Sequence, residues 1–127
     1  MNNLRTLTYF DIYEKNARNN GSACALFWNG TATSYADLFS QTARFATGLK
    51  ALGLTPGDRV AVLCCNHPVF FHLFGAASAL NLVLVLINRR LSPEEMAHIV
   101  EDTTPKAVVC DPQMADQAKA LASSSDT

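Results

Sequence analysis

Residues 55–64 read TPGDRVAVLC, a turn that leads at once into an uninterrupted apolar run. Pro56 and Gly57 favour the turn. The five apolar residues at 60–64 are typical of a strand covered on both faces, as strands of a parallel sheet are. Two more apolar runs follow, LVLVLI at 82–87 and AVVC at 107–110. The three runs predict three strands of one parallel sheet.

Helical patterns separate these strands. Pro68 suits the first turn of a helix that ends near Asn81, and residues 92–95 read SPEE, a capping box with proline at the first helical position. Residues 103–106, TTPK, are interpreted as a plain connection from helix to strand, and Asp111 precedes a last helix. The alternation predicts an α/β fold with right-handed crossovers between parallel strands.

An N-terminal β-hairpin and two helices precede the sheet. Apolar side chains within residues 9–17 predict an amphipathic helix that stops near Asn20. Residues 23–33 read as a hairpin, because Asn29 and Gly30 tolerate positive φ at both turn positions. Residues 35–52 carry apolar side chains at steps of three and four, Leu52 included, with Ser34 and Asp37 as a capping box. Three parallel strands are few for an open sheet, so we expect an incomplete part of a larger domain.

The composition excludes several classes of protein. A chain that is 49% hydrophobic and 17% charged buries enough apolar surface to fold. A net charge of −1 leaves no sequence-wide basic excess for nucleic acid or an anionic membrane. The four cysteines form no C-x-x-C pair and are interpreted as buried, reduced thiols of a cytoplasmic protein. The uncharged residues 68–87 leave a membrane span as an alternative, but Asn81 favours a helix, a turn and a buried strand.

The histidines and cysteines give no strong site. His67 follows the first strand at the carboxyl edge of the sheet, where it either packs in a loop or contacts a ligand. His72 is expected to be half-buried and His98 to face solvent, and no pair has metal-ligand spacing. Cys65 beside His67 lacks a third, orienting group, so we predict no catalytic residue and no metal ligand.

Two arginines follow the second strand at the same edge. Arg89 and Arg90 either include a phosphate ligand, since a guanidinium holds two oxygens at once, or form a solvated loop pair. The residues alone leave both alternatives open. No glycine-rich phosphate loop occurs in the sequence.

Three segments together resemble one family. Residues 33–38 (TSYADL), 48–62 (GLKALGLTPGDRVAV) and 87–95 (INRRLSPEE) are similar to L-T-Y-x-E-L, G-L-x-x-L-G-V-x-P-G-D-R-V-A-I and L-N-P-R-L-T-x-E-E. These are motifs of the N-terminal portion of the adenylate-forming acyl-CoA synthetases. Asn81 replaces the usual glycine, and Leu86 and Arg89 stand where proline is usual or common. None of these departures touches a catalytic group.

The resemblance implies a fragment of an acid–thiol ligase that is inactive alone. Family members use ATP and Mg²⁺ to form an acyl-adenylate and then transfer the acyl group to CoA, with catalytic motifs beyond this chain. Residues 1–122 would be an N-terminal subdomain and 123–127 a flexible tail, with no cofactor of its own. The family's N-x-R-L arginine, which lies near the CoA phosphate in aryl-CoA ligases, corresponds to Arg90.

Other questions stay open at this point. The acyl substrate could be a fatty acid, an aryl acid or malonate, and the frequency of each in the family favours a fatty or an aryl acid. The alternative to a ligase fragment is a stand-alone flavodoxin-like module that binds a ligand or partner. If the parent chain normally covers part of the sheet, we expect the fragment to form a homo-oligomer through exposed apolar surface. We expect no nucleic acid and no membrane span.

Overall fold

The structure, a computed structural model, describes residues 7–123. The elements in chain order are α1 (Tyr9–Asn20), β1 (Cys24–Trp28), β2 (Thr31–Ser34), α2 (Tyr35–Ala51), β3 (Arg59–Leu63), α3 (Val69–Leu80), β4 (Val83–Leu86), α4 (Pro93–Thr103), β5 (Ala107–Cys110), a 3₁₀ turn (Pro112–Met114) and α5 (Ala115–Ser123). Two compact units result, one from residues 7–53 with Pro68–Leu80, the other from Leu54–His67 with residues 81–123. Apart from Ser123, the predicted tail at 123–127 lies outside the described residues.

The first unit begins with a capped helix and a tight hairpin. Thr8 and Asp11 exchange the two hydrogen bonds of a capping box at the start of α1. β1 and β2 pair antiparallel, with Asn29 at φ 50° and Gly30 at φ 79° between them. Positive φ at both positions defines the turn that favours Asn-Gly. The predicted N-terminal hairpin is therefore confirmed.

Helices α1, α2 and α3 pack together in this unit at a glycine. A Cβ atom added to Gly75 of α3 would lie 2.5 Å from Thr42 Cγ2 and 2.7 Å from Tyr13 Cε2. The Tyr13 hydroxyl also donates to the Phe71 carbonyl at 3.0 Å, which fixes the far end of the ring. The three helices approach this closely because position 75 has no side chain.

Helix α2 largely follows its predicted pattern. Leu38, Thr42 and Leu49 are buried, and the Ser34 hydroxyl accepts from the Asp37 N–H at 3.1 Å, one half of the expected capping box. Leu52, which the spacing places on the same face as these residues, is nevertheless 70% exposed. Leu52 follows the last helical residue, where the chain turns away from the helix axis toward Gly53.

The second unit contains the parallel sheet, in the order β4-β3-β5. This arrangement confirms the predicted α/β class. Residues 60–63 of the central strand are all buried, and α4 and α5 cover the face that carries Ala61 and Leu63. Met96, Val100 and Leu121 complete that core.

Strand β4 differs from its prediction. The sequence indicates a buried strand, but Val83 is 49% exposed and Leu86 is 54% exposed. The reason is the strand order, which places β4 at an edge of the sheet. Apolar side chains and one row of main-chain groups therefore face outward in the part of the chain that the structure describes.

The uncharged residues 68–87 divide as the sequence predicts, into α3, a turn and β4. Asn81 forms the turn at φ 54°, a left-handed conformation that asparagine tolerates where the family usually has glycine. Within residues 7–123, no helix combines the length and the apolar character that a transmembrane span needs.

The G-D-R segment, residues 57–59, lies at the end of the sheet where the parallel strands begin. Gly57 has φ 89°, and the Asp58 carboxylate accepts from the Thr55 N–H at 2.8 Å and from its hydroxyl at 3.1 Å. Arg59 Nη1 donates to the Thr103 carbonyl at 3.2 Å, at the C-terminal end of α4. These hydrogen bonds within the protein give the motif a structural role.

Candidate functional site

The candidate site is a cleft at the carboxyl edge of the sheet. Strands β3, β4 and β5 are parallel, so the loops that follow them meet at one edge. Between the first two loops lies a cavity of about 490 Å³, lined by residues 64–66 on one wall and 87–90 on the other. The structure thus brings the predicted arginines next to the Cys64–Cys65 segment.

The arginine wall has a defined backbone. The Asn88 Oδ1 atom accepts from the Arg90 N–H at 2.9 Å, and the Asn88 carbonyl accepts from the Leu91 N–H at 3.1 Å. The following Ser92 and Glu95 form the predicted capping box of α4. The main chain of Arg90 is therefore held on both sides, by its own turn and by the start of a helix.

The two guanidinium groups are available to a ligand. Arg89 and Arg90 are exposed and line the cavity. Among residues 7–123, neither side chain forms an ion pair. An arginine with free N–H groups binds phosphate oxygens in pairs, which makes this wall suited to an anion.

The opposite wall, residues 64–66, is hydrogen-bonded to Asp111, the residue that follows β5. Its Oδ2 atom accepts from the Cys65 N–H at 2.6 Å, and its Oδ1 atom accepts from the Met114 N–H at 3.1 Å. The hydrogen bond from Cys65 has the largest effect on the pKa of the Asp111 carboxyl, and together the hydrogen bonds hold it below its ordinary value of 3.8. Sequence reasoning recognised Asp111 only as the residue that opens the last helix and missed this long-range contact.

The two cysteines of the cleft lie in different surroundings. Burial raises the pKa of the Cys64 thiol to about 11, so the thiolate is scarce at neutral pH. The Cys65 Sγ atom lies 3.4 Å from Gln113 Oε1, an amide oxygen that is too weakly basic to activate a thiol. All four cysteines are free thiols. The expectation that all are buried holds for Cys64 alone: Cys65 and Cys110 are half-buried, and Cys24 lies exposed on the hairpin strand β1.

The histidines occupy three different environments. His67 is exposed in the loop after β3, outside the residues that line the cavity, and His98 faces solvent as predicted. His72 is more buried than expected, at 7% exposure, and its ring stacks on Phe45 with centroids 5.4 Å apart. No three His, Cys, Asp or Glu side chains within residues 7–123 are grouped so as to hold a metal ion.

Comparison with known proteins identifies the family. The sequence profile of the AMP-binding enzyme family matches residues 13–127. A feruloyl-CoA synthase from Amycolatopsis is 38% identical over 108 residues, which are 85% of this chain and 22% of the relative. A long-chain-fatty-acid–CoA ligase from Thermus thermophilus is 36% identical over 89 residues, 70% of this chain and 16% of the relative.

A solved structure supports the same family assignment. The N-terminal domain of FACL13 from Mycobacterium tuberculosis superimposes with a TM-score of 0.83 at 30% identity, over 89% of this chain and 29% of that one. The chain belongs to the AMP-binding enzyme family. It spans about one fifth of the length of the curated relatives it matches and corresponds to part of their N-terminal domain. The resemblance found in the sequence motifs is thereby confirmed.

Proposed function

We propose that this chain is part of the N-terminal domain of an acyl-CoA synthetase. Such an enzyme uses ATP and Mg²⁺ to activate a carboxylic acid as an acyl-adenylate and then transfers the acyl group to CoA. The observation that carries the proposal is the family match over residues 13–127, together with relatives named as CoA ligases. Those relatives are named for feruloyl and long-chain fatty acyl groups, which supports an aryl or a fatty acid as the substrate class.

Within that enzyme, Arg90 would bind a phosphate of CoA. Its position in the N-x-R-L segment supports this role, and so does its environment, an exposed guanidinium at a cleft with a fixed main chain. CoA carries phosphates, and paired N–H donors of arginine match phosphate oxygens. Arg90 would then act after the adenylate has formed, in the thiol-transfer step alone.

The test is to substitute Arg90 in the synthetase that contains this chain. We expect Arg90→Ala to raise the KM for CoA about ten- to a hundredfold, as the loss of a charged hydrogen-bonding partner does. ATP–pyrophosphate exchange with the acid, which reports adenylate formation, stays within about twofold of the wild-type rate. Arg90→Lys keeps the charge but loses the paired hydrogen bonds of a guanidinium. Its KM for CoA should therefore lie between those of the wild type and of Arg90→Ala.

A matched control is Arg44→Ala. Arg44 is an exposed arginine on α2 and does not line the cleft. Its replacement should leave the KM for CoA unchanged. Equal losses in exchange and in thioester formation for Arg90→Ala would exclude a specific role in CoA binding.

The chain alone should show no ATP–pyrophosphate exchange with any carboxylic acid. The family resemblance assigns the ATP-binding loop and the catalytic lysine to segments that this sequence does not contain. The measurement uses purified chain with a panel of aryl and fatty acids. Sustained exchange by the chain itself would contradict the proposal that it is an inactive portion of the enzyme.

We also propose that the isolated chain self-associates through the β4 edge. Val83 and Leu86 are about half exposed there, beside a row of outward main-chain groups. A second copy could pair along this edge and cover both side chains. In the synthetase, the remainder of the parent chain would take that place.

A further inference from the structure

The Asp111 carboxylate joins two strand ends that are distant in the sequence. Its bond to the Cys65 N–H spans 46 positions and fixes the loop after β3. Its second bond, to the Met114 N–H, caps the turn that leads into α5. One side chain therefore holds a wall of the cleft against the start of a helix.

A second contact joins the same two segments. The Cys65 thiol donates to Gln113 Oε1 at 3.4 Å, beside the main-chain bond to Asp111. The Asp111 bond is the stronger of the two, because its acceptor is ionised and the distance is 2.6 Å. Without that carboxylate, the side-chain contacts from this wall to β5 and the turn after it would be two weak sulfur contacts, from Cys64 to the Val109 carbonyl at 3.9 Å and from Cys65 to Gln113.

We propose that Asp111 is a positioning residue of the cleft. It keeps residues 64–66 in place as the wall that faces Arg90, so that a phosphate held by the arginine enters a preformed site. A site that is already ordered binds more tightly, since no ordering cost is added on binding. The hydrogen bond between Asp111 and Cys65 is a feature of the structure itself, whereas its effect on CoA binding rests on the proposed function.

The first measurement concerns the bond and needs no ligand. Asp111→Ser keeps a hydroxyl that can cap Met114, but this short side chain does not reach Cys65. We expect hydrogen exchange at the Cys65 amide to accelerate about tenfold or more, as the loss of a charged acceptor predicts. The Met114 and Leu63 amides should keep their exchange rates, which shows that the cap and the central strand are intact.

The matched control is Asp116→Ser, which removes the same charge from the exposed first turn of α5. It should leave exchange at Cys65 unchanged. If Asp111→Ser also leaves Cys65 protected, the wall is held by other contacts and the proposal is overturned.

The second measurement concerns function, in the synthetase that contains this chain. Asp111→Ser should raise the KM for CoA about tenfold while ATP–pyrophosphate exchange stays within about twofold. If Arg90→Ala raises that KM and Asp111→Ser does not, the positioning role is wrong and the role of Arg90 stands. If neither variant changes it, the cleft is not the CoA site and both proposals fail. Equal losses in both half-reactions for Asp111→Ser would make it a general structural residue, which also overturns the proposal.

Discussion

Gly75 offers a sharp test of the packing in the three-helix unit. In Gly75→Ala, the new methyl carbon would lie 2.5 Å from Thr42 Cγ2 and 2.7 Å from Tyr13 Cε2. Carbon atoms pack at about 3.5–4.0 Å, so these neighbours would have to move by roughly 1 Å. Thr42 is fully buried, and Tyr13 is held at its hydroxyl by the Phe71 carbonyl.

The size of the effect follows from two opposing contributions. Overpacking of a well-filled core costs roughly 1–3 kcal/mol. Alanine in a helix interior gains about 1 kcal/mol over glycine. Because neither neighbour can swing aside, the cost at Gly75 should lie near the upper end of its range. We therefore expect a net loss of about 1–2 kcal/mol in the free energy of unfolding.

Gly48 is the matched control. It lies in the last turn of α2, and a Cβ atom there meets nothing within 4 Å. Gly48→Ala should gain up to about 1 kcal/mol from helix propensity alone. Urea unfolding followed by circular dichroism compares both variants with the wild type. If Gly75→Ala proves neutral or stabilising, as Gly48→Ala is expected to be, the close helix approach at Gly75 is refuted.

Two further predictions concern acid stability and self-association. The pKa values of Asp58 and Asp111 are lowered in the folded chain, mainly by hydrogen bonds from Thr55 and Cys65. The two ionised carboxylates therefore stabilise the folded state fully above the ordinary pKa of 3.8. This stabilisation is lost as the pH falls through the lowered pKa values of the folded chain. Between about pH 5 and about pH 2, the urea midpoint of the wild type should therefore fall more steeply than that of the Asp58→Asn, Asp111→Asn double variant; parallel profiles would contradict this. Light scattering of the isolated chain should give a mass above that of the monomer, and Leu86→Lys should restore the monomer by placing a charge on the β4 edge. A wild-type monomer at high concentration would exclude the edge contact.

The features that the sequence predicted correctly depend on residues that are close together in the chain. The capping box of Ser92 and Glu95 spans three positions, and the turn at Asn29 and Gly30 spans two, so each is visible in a short window. The three apolar runs also locate the strands, because they are short and rich in valine, a β-branched residue that is enriched in strands.

The errors concern properties set by distant residues. Exposure of Val83 depends on which strand takes the edge of the sheet, and strand order is not encoded within β4 itself. The bond between Asp111 and Cys65 joins positions 46 apart. Its one local indication was that each residue follows a strand of the same parallel sheet, which places both at one edge. Sequence reasoning recognised that edge but considered only histidine, cysteine and arginine there.

The two motifs on which the family resemblance rests lie at opposite ends of the strands of the same sheet, and they have different physical roles. In the G-D-R segment, Asp58 bonds to Thr55, and the Arg59 guanidinium donates to a helix-end carbonyl. In the N-x-R-L segment, the Asn88 side chain bonds to the main chain of Arg90, and the guanidinium is left outside any ion pair of the described residues. A polar group already satisfied within the fold contributes to stability, whereas one left exposed on a fixed backbone is available to a ligand. Of the two motifs, the second places an exposed guanidinium at a cleft, which is why the functional hypothesis rests on Arg90 rather than on Arg59.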